Sequence, residues 1–185
     1  FYVGIDTLCK KYGACFIADE VQSGYGRTGN FFAYQKYNVT PDIISIAKGM
    51  GNGFPVGGIL IHHSIKASFG LLGTTFGGNH LACAAALTVL NVIEEEKLIE
   101  NAKNMSQYFI EKAQEIPQVK RIKGRGLMLG LEFDFPIAEL RKKLINNHKI
   151  FTGNAKNQYV IRILPPLTIQ KKHIDSFMNA LKSEL

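Results

Sequence analysis

The sequence is short of acidic residues, poor in cysteine and without any long apolar run. Its 15 Asp and Glu stand against 22 Lys and Arg, a formal net charge of +7. Such an excess invites a nucleic-acid partner, but the basic residues are scattered. The largest clusters, Lys120-Arg-Ile-Lys123 and Arg141-Lys-Lys143, read as solvated faces, so no nucleic-acid role is expected. The 3 cysteines, Cys9, Cys15 and Cys83, are far apart and show no C-x-x-C spacing. That argues against a disulfide framework and against a zinc site, and for a reducing, cytoplasmic compartment. No metal site is expected. The apolar runs fall well short of the roughly 20 residues of a membrane span, so no membrane partner is expected either. No signal-peptide pattern stands at Phe1. The 185 residues leave room for one domain, or one and a half. Phe1 reads as lying inside a helix, which is expected of a piece of a longer protein.

What is there is organised around Cys15-Phe-Ile-Ala-Asp-Glu-Val-Gln22 and Ile43-Ile-Ser-Ile-Ala-Lys48. Each is an apolar run that ends in charge. Buried strands that deliver charged side chains at their C-terminal ends are how an open α/β sheet builds a site. Around them the periodicity predicts a helix from Phe1 to Tyr12 stopped by Gly13 and strands at 14–18, 42–47 and 56–61. A long helix is predicted from Asn79 to about Glu95, and another from Leu98 to Ile116. Past Pro117 the texture changes. Paired strands are predicted at 119–123 and 127–133, a helix at 137–148, a strand at 159–164 and a terminal helix at 170–185. Segregated strands and helices of this kind suggest a small α+β domain. The expected division is therefore 1–116 and 117–185.

Several motifs compete for the chemistry. Gly24-Tyr-Gly-Arg-Thr-Gly29 has the G-x-G-x-x-G spelling. Its glycines do not follow the strand at once, and a plain glycine-rich loop accounts for them better than a dinucleotide site. Phe16-Ile-Ala-Asp-Glu20 resembles the acidic motif of a P-loop NTPase, with Asp19 and Glu20 on magnesium, but no G-x-x-x-x-G-K-[ST] loop is present. A strand-end lysine beside a glycine turn, a strand-end aspartate and Gly73-Thr-Thr75 suit pyridoxal 5'-phosphate. That cofactor needs a lysine amine, a carboxylate on its ring nitrogen, and hydroxyl and N–H groups around its phosphate.

Three longer blocks carry a resemblance. Asp19-Glu-Val-Gln-Ser-Gly-Tyr-Gly-Arg-Thr-Gly29, Ala47-Lys-Gly-Met-Gly-Asn-Gly-Phe-Pro-Val-Gly57 and Gly73-Thr-Thr-Phe-Gly-Gly-Asn79 resemble, in order, blocks of the class III pyridoxal-phosphate-dependent aminotransferases. Ile122-Lys-Gly-Arg-Gly-Leu-Met-Leu-Gly130 and Ile161-Arg-Ile-Leu-Pro-Pro-Leu167 resemble that family's small-domain blocks. The resemblance spans essentially the whole chain and is nearest to the branch acting on N-acetylornithine. It implies the α/β fold-type I architecture: part of a large domain with a mostly parallel sheet, then a small C-terminal α+β domain.

The resemblance also implies roles. Lys48 would be the covalent anchor of the cofactor and the base that moves a proton. Asp19 would pair with the ring nitrogen, Val21 would pack on the ring face, and Gln22 would bond the ring's phenolic oxygen. Thr75 would bind the phosphate of the partner subunit's cofactor. Thr74 would lie near substrate, and Arg162 would face the substrate's carboxylate end. Each has a plainer reading: a surface lysine, a core valine, a turn threonine, a structural ion pair for Arg162. Glu20 is expected to be structural, and Arg27 is given no chemical role. His80 stands where the family commonly has proline. The family's upstream phosphate loop, ring-stacking aromatic residue and main substrate arginine are not in this sequence. The implied reaction moves an amino group between N-acetylornithine (or N-succinylornithine) and 2-oxoglutarate in arginine metabolism, in a homodimer. Ornithine and 4-aminobutyrate are the alternative amino donors.

Overall fold

A computed structural model describes residues 1–71 and 73–185. The chain folds as two compact units, Phe1–Lys97 and Leu98–Leu185. In the first, α1 (Tyr2–Tyr12) precedes β1 (Ile17–Asp19), a 3-10 turn (Ala33–Tyr37), β2 (Ile43–Ile46), a second 3-10 turn (Lys48–Met50), β3 (Gly58–Ile61) and α2 (His80–Glu95). β1 runs parallel to β2, and β3 lies antiparallel on the other side of β2. This portion of the sheet thus holds one parallel and one antiparallel pairing.

Local chemistry sets these boundaries. α1 stops because Gly13 takes the left-handed conformation (φ 65°), which costs a residue without a Cβ little. β1 starts later than residue 14. Phe16 is instead pinned across to the next strand: its N–H donates to Asp42 Oδ2 (2.7 Å) and its carbonyl accepts from the Asp42 N–H (2.8 Å). Phe16, Ala18 and Val39 form a small core, with Tyr2, Ile5 and Cys9 of α1 packed against it. Asn79 caps α2 as expected, its Oδ1 accepting from the Ala82 N–H at 3.0 Å. His80 thus occupies the first helical position. Proline is favoured there because that N–H has no helical partner, so His80 replaces it without breaking the helix.

The second unit holds α3 (Leu98–Gln114), β4 (Arg121–Arg125), β5 (Met128–Glu132), α4 (Ala138–His148), β6 (Gly153–Asn154), β7 (Val160–Ile163) and α5 (Lys171–Glu184). Its sheet runs β4-β5-β7-β6, antiparallel throughout. Leu129 and Leu131 of β5 pair with Ile163 and Ile161 of β7, and all four enter one core with Phe109, Leu144, Ile174 and Leu181 from the helices. The compact unit begins at Leu98, not near residue 117. Pro117 marks the approach to the sheet, but the amphipathic α3 before it buries Ala102, Met105, Phe109 and Ala113 in that sheet's core. Asn101 ties the helix down further, donating to the carbonyls of Leu167 (2.6 Å) and Ile169 (3.0 Å). Among the described residues no helix is long and apolar enough to cross a membrane.

Leu144 is fully buried in this core. Leu144→Ala is expected to destabilise the second unit by about 3 kcal/mol, and Lys142→Ala by less than about 0.5 kcal/mol. Urea unfolding of the two variants beside wild type checks this.

Candidate active site

The site begins with a register. In the parallel ladder Asp19 stands opposite Ser45, so the C-terminal end of β1 lies beside the end of β2, three residues before Lys48. The Ser45 hydroxyl donates to Asp19 Oδ1 at 2.9 Å. The Val21 N–H donates to the same oxygen at 3.0 Å. Those two donors, with the positive charge of Lys48, hold the Asp19 carboxyl below the usual carboxylate range, against a smaller desolvation effect. A lowered folded pKa keeps Asp19 ionised through neutral and mildly acidic pH. Its contribution to stability is lost only as pH falls through that lowered value.

Lys48 is exposed and opens the 3-10 turn after β2. Its backbone is left-handed, φ 45°, a region that disfavours residues with a Cβ. Lys97 and Lys149 are also left-handed, but each follows the end of a helix, where that conformation is usual. Lys48 instead follows a strand. The turn is tight: a Cβ on Gly51 would collide with the Phe54 carbonyl and Val56, and one on Gly49 would come within 3.1 Å of Tyr25. Tyr25 is buried, so the glycine-rich loop after Asp19 supports the lysine turn from beneath. α2 packs against the same turn.

Glu20 turns the other way. It is 1% exposed; Oε2 accepts from the Ser23 hydroxyl (2.6 Å) and Oε1 from the Tyr34 N–H (3.0 Å). Burial, and then the charge of Glu20, push the Tyr34 and Tyr2 hydroxyls upward. Both oxygens of Glu20 are engaged inside the protein, which removes the Asp19–Glu20 pair as a magnesium site. Among the described residues no group of three or more His, Cys, Asp or Glu could hold a metal.

The other expected residues fall as follows. Val21 and Gln22 lie in a turn, not on continued strand. It is the Val21 N–H that touches Asp19. Thr74 and Thr75 are exposed on the loop leading to Asn79, and a Cβ on Gly77 would strike the Thr74 methyl. Arg162 belongs to the second unit. It is exposed on β7, between Gly130 of β5 and Gly153 of β6. A Cβ on Gly153 would come within 2.9 Å of the Arg162 Nε, so the missing side chain leaves the arginine its room. Burial lowers the Arg27 pKa. Sequence reasoning missed Ser45; its signal was a hydroxyl inside the apolar run of β2.

The pattern of the family described as Aminotransferase class-III matches residues 1–185. The chain belongs to the class III aminotransferases. It is 43% identical over 187 residues to an acetylornithine aminotransferase of Aquifex aeolicus, covering 100% of this chain and 48% of that protein. To an acetylornithine aminotransferase of Methanocaldococcus jannaschii it is 45% identical, covering 96% of this chain and 46% of the other. Among solved structures, an ornithine aminotransferase of Plasmodium yoelii superposes with a TM-score of 0.88 at 33% identity, over 99% of this chain and 51% of that one. The chain thus spans about half the length of the relatives it matches.

Substitutions at two positions test the geometry. Lys48→Gly is expected to be more stable than Lys48→Ala by about 1 kcal/mol, because alanine keeps the left-handed penalty. Glu20→Ala is expected to cost about 2–3 kcal/mol by leaving the Ser23 hydroxyl and Tyr34 N–H unpaired, and Glu20→Gln less. Equilibrium unfolding reads both.

Proposed function

We propose that this chain is part of a pyridoxal-phosphate-dependent aminotransferase. The full-length protein would move an amino group between N-acetylornithine (or N-succinylornithine) and 2-oxoglutarate in arginine metabolism. We place it in the cytoplasm and read it as a homodimer. The observation that carries the reading is the strand-end pair of Asp19 and Lys48, one carboxylate held ionised and one amine left to solvent. The acetylornithine aminotransferases among its relatives support the choice of amino donor.

The residues present fit the cofactor. Among the described residues Asp19 is fastened through Oδ1, which leaves Oδ2 to accept from a protonated ring nitrogen. The amine of Lys48 stands clear of its own fold. Bound pyridoxal phosphate would supply an aldehyde for the amino group and a protonated ring that accepts electrons. Lys48 Nζ would anchor it and, once released, take the proton from the substrate Cα. The Asp19 carboxylate would hold the ring proton in place, which matters most as negative charge spreads toward it. Val21 would pack on the ring, Gln22 would donate to its phenolic oxygen, and Thr75 would bind the phosphate of the partner subunit's cofactor. Thr74 and Arg162 would meet substrate, Arg162 at a carboxylate. The likeness to an ornithine aminotransferase structure keeps ornithine as a second amino donor.

The full-length protein, loaded with pyridoxal phosphate, is expected to transfer amino groups to 2-oxoglutarate with its highest kcat/KM on N-acetylornithine. A preference for ornithine or 4-aminobutyrate would move it to the other branch of the family. Asp19→Asn is expected to lower kcat by about 100-fold or more. Gly153→Ala, which crowds Arg162, is expected to raise KM for the carboxylate substrate with little change in kcat. Steady-state kinetics with each amino donor measures all three.

A further inference from the structure

Nothing in the implied mechanism uses Ser45, yet it makes the only side-chain hydrogen bond to Asp19 found among the described residues. We propose that Ser45 is a positioning residue that fixes the rotamer and protonation state of Asp19, and that through Asp19 it governs how tightly a protonated pyridine-type cofactor is held. The inference rests on the aminotransferase reading above.

Three features carry it. First, the contact is built by the ladder: Asp19 and Ser45 are register partners in parallel strands, so the two side chains emerge side by side with no loop between them. Secondly, Ser45 is out of character with its strand. Its neighbours Ile44 and Ile46 are buried and apolar, while Ser45 lies on the opposite face, the face of Asp19. A β-branched apolar residue would suit a strand better there; the hydroxyl is explained by what it donates to. Thirdly, the two donors to Asp19 converge on one oxygen, the Ser45 hydroxyl at 2.9 Å and the Val21 N–H at 3.0 Å. Together they lock the carboxylate's orientation and leave Oδ2 as the acceptor for a ligand.

A backbone N–H alone would leave the carboxylate free to pivot about its contact; a second donor from the neighbouring strand removes that freedom. The charged group acting on Asp19 is Lys48 of the next turn. Glu20, its chain neighbour, faces into the protein and bonds Ser23 and Tyr34 instead. Losing the Ser45 hydroxyl therefore weakens the ionised form without touching the other contacts.

The test uses the full-length protein in Ser45→Ala, Ser45→Thr and Asp19→Asn backgrounds. Carboxyl-carbon NMR of the cofactor-free protein follows the Asp19 titration, and equilibrium dialysis with pyridoxal phosphate gives Kd. Ser45→Ala is expected to raise the Asp19 midpoint and to weaken cofactor binding about three- to ten-fold, the worth of one hydrogen bond. Ser45→Thr is expected to restore both, and in Asp19→Asn the alanine is expected to change Kd no further. A Ser45→Ala protein with altered unfolding but an unmoved Asp19 midpoint and Kd would show a purely structural serine and overturn the inference. Wild-type protein that binds no pyridoxal phosphate would instead bring down the aminotransferase reading and, with it, this one.

Discussion

The candidate site depends on one backbone constraint, the parallel register that sets Asp19 beside Ser45. Parallel strands must be joined by a crossover, and here that crossover carries the glycine-rich loop and the 3-10 turn before β2. The register decides which side chains share the C-terminal edge. A shift of one residue would turn Asp19 inward and bring Glu20 out. The pairing as it stands puts the Asp19 carboxylate at the edge and that of Glu20 inside, where Ser23 and Tyr34 satisfy it. Lys48 follows on the adjacent strand, close enough for its charge to act on Asp19.

Around that edge the sequence is used for backbone rather than for side chains. Gly49 and Gly51 let the lysine turn close against Tyr25 and Val56, and Lys48 itself sits in a conformation that favours glycine. A non-glycine residue kept in such a region is held there by its surroundings. The tight turn and the packing of α2 against it are those surroundings. The second unit solves a separate problem, an antiparallel sheet and three helices around one apolar core, and presents Arg162 in a strip of space left by Gly153. Both units belong to a chain that spans about half of its relatives' length.

Much of this was legible in the sequence. Helices α1, α2, α3 and α5 follow from period and caps, because Gly13 and Asn79 act locally. Asp19, Glu20 and Lys48 stood out because charge ended apolar runs, and the structural fate expected of Glu20 is what its hydrogen bonds show. What escaped depended on contacts across the chain. The unit boundary at Leu98 could not be placed by a texture change, because a helix's membership is decided by the core it covers. The turn at Val21 was hidden because strand ends leave little local signature. β6, Gly153–Asn154, is too short for any periodicity. Ser45 escaped because a lone hydroxyl in a strand acquires meaning only once its register partner is known.

The most direct measurement is borohydride reduction of the full-length protein after incubation with pyridoxal phosphate, followed by peptide mass mapping. The expected result is a visible chromophore that reduction removes, with one stable adduct on Lys48 and none in Lys48→Ala. An adduct spread over surface lysines, or a chromophore that persists in Lys48→Ala, would contradict the assignment of the strand-end lysine as the anchor.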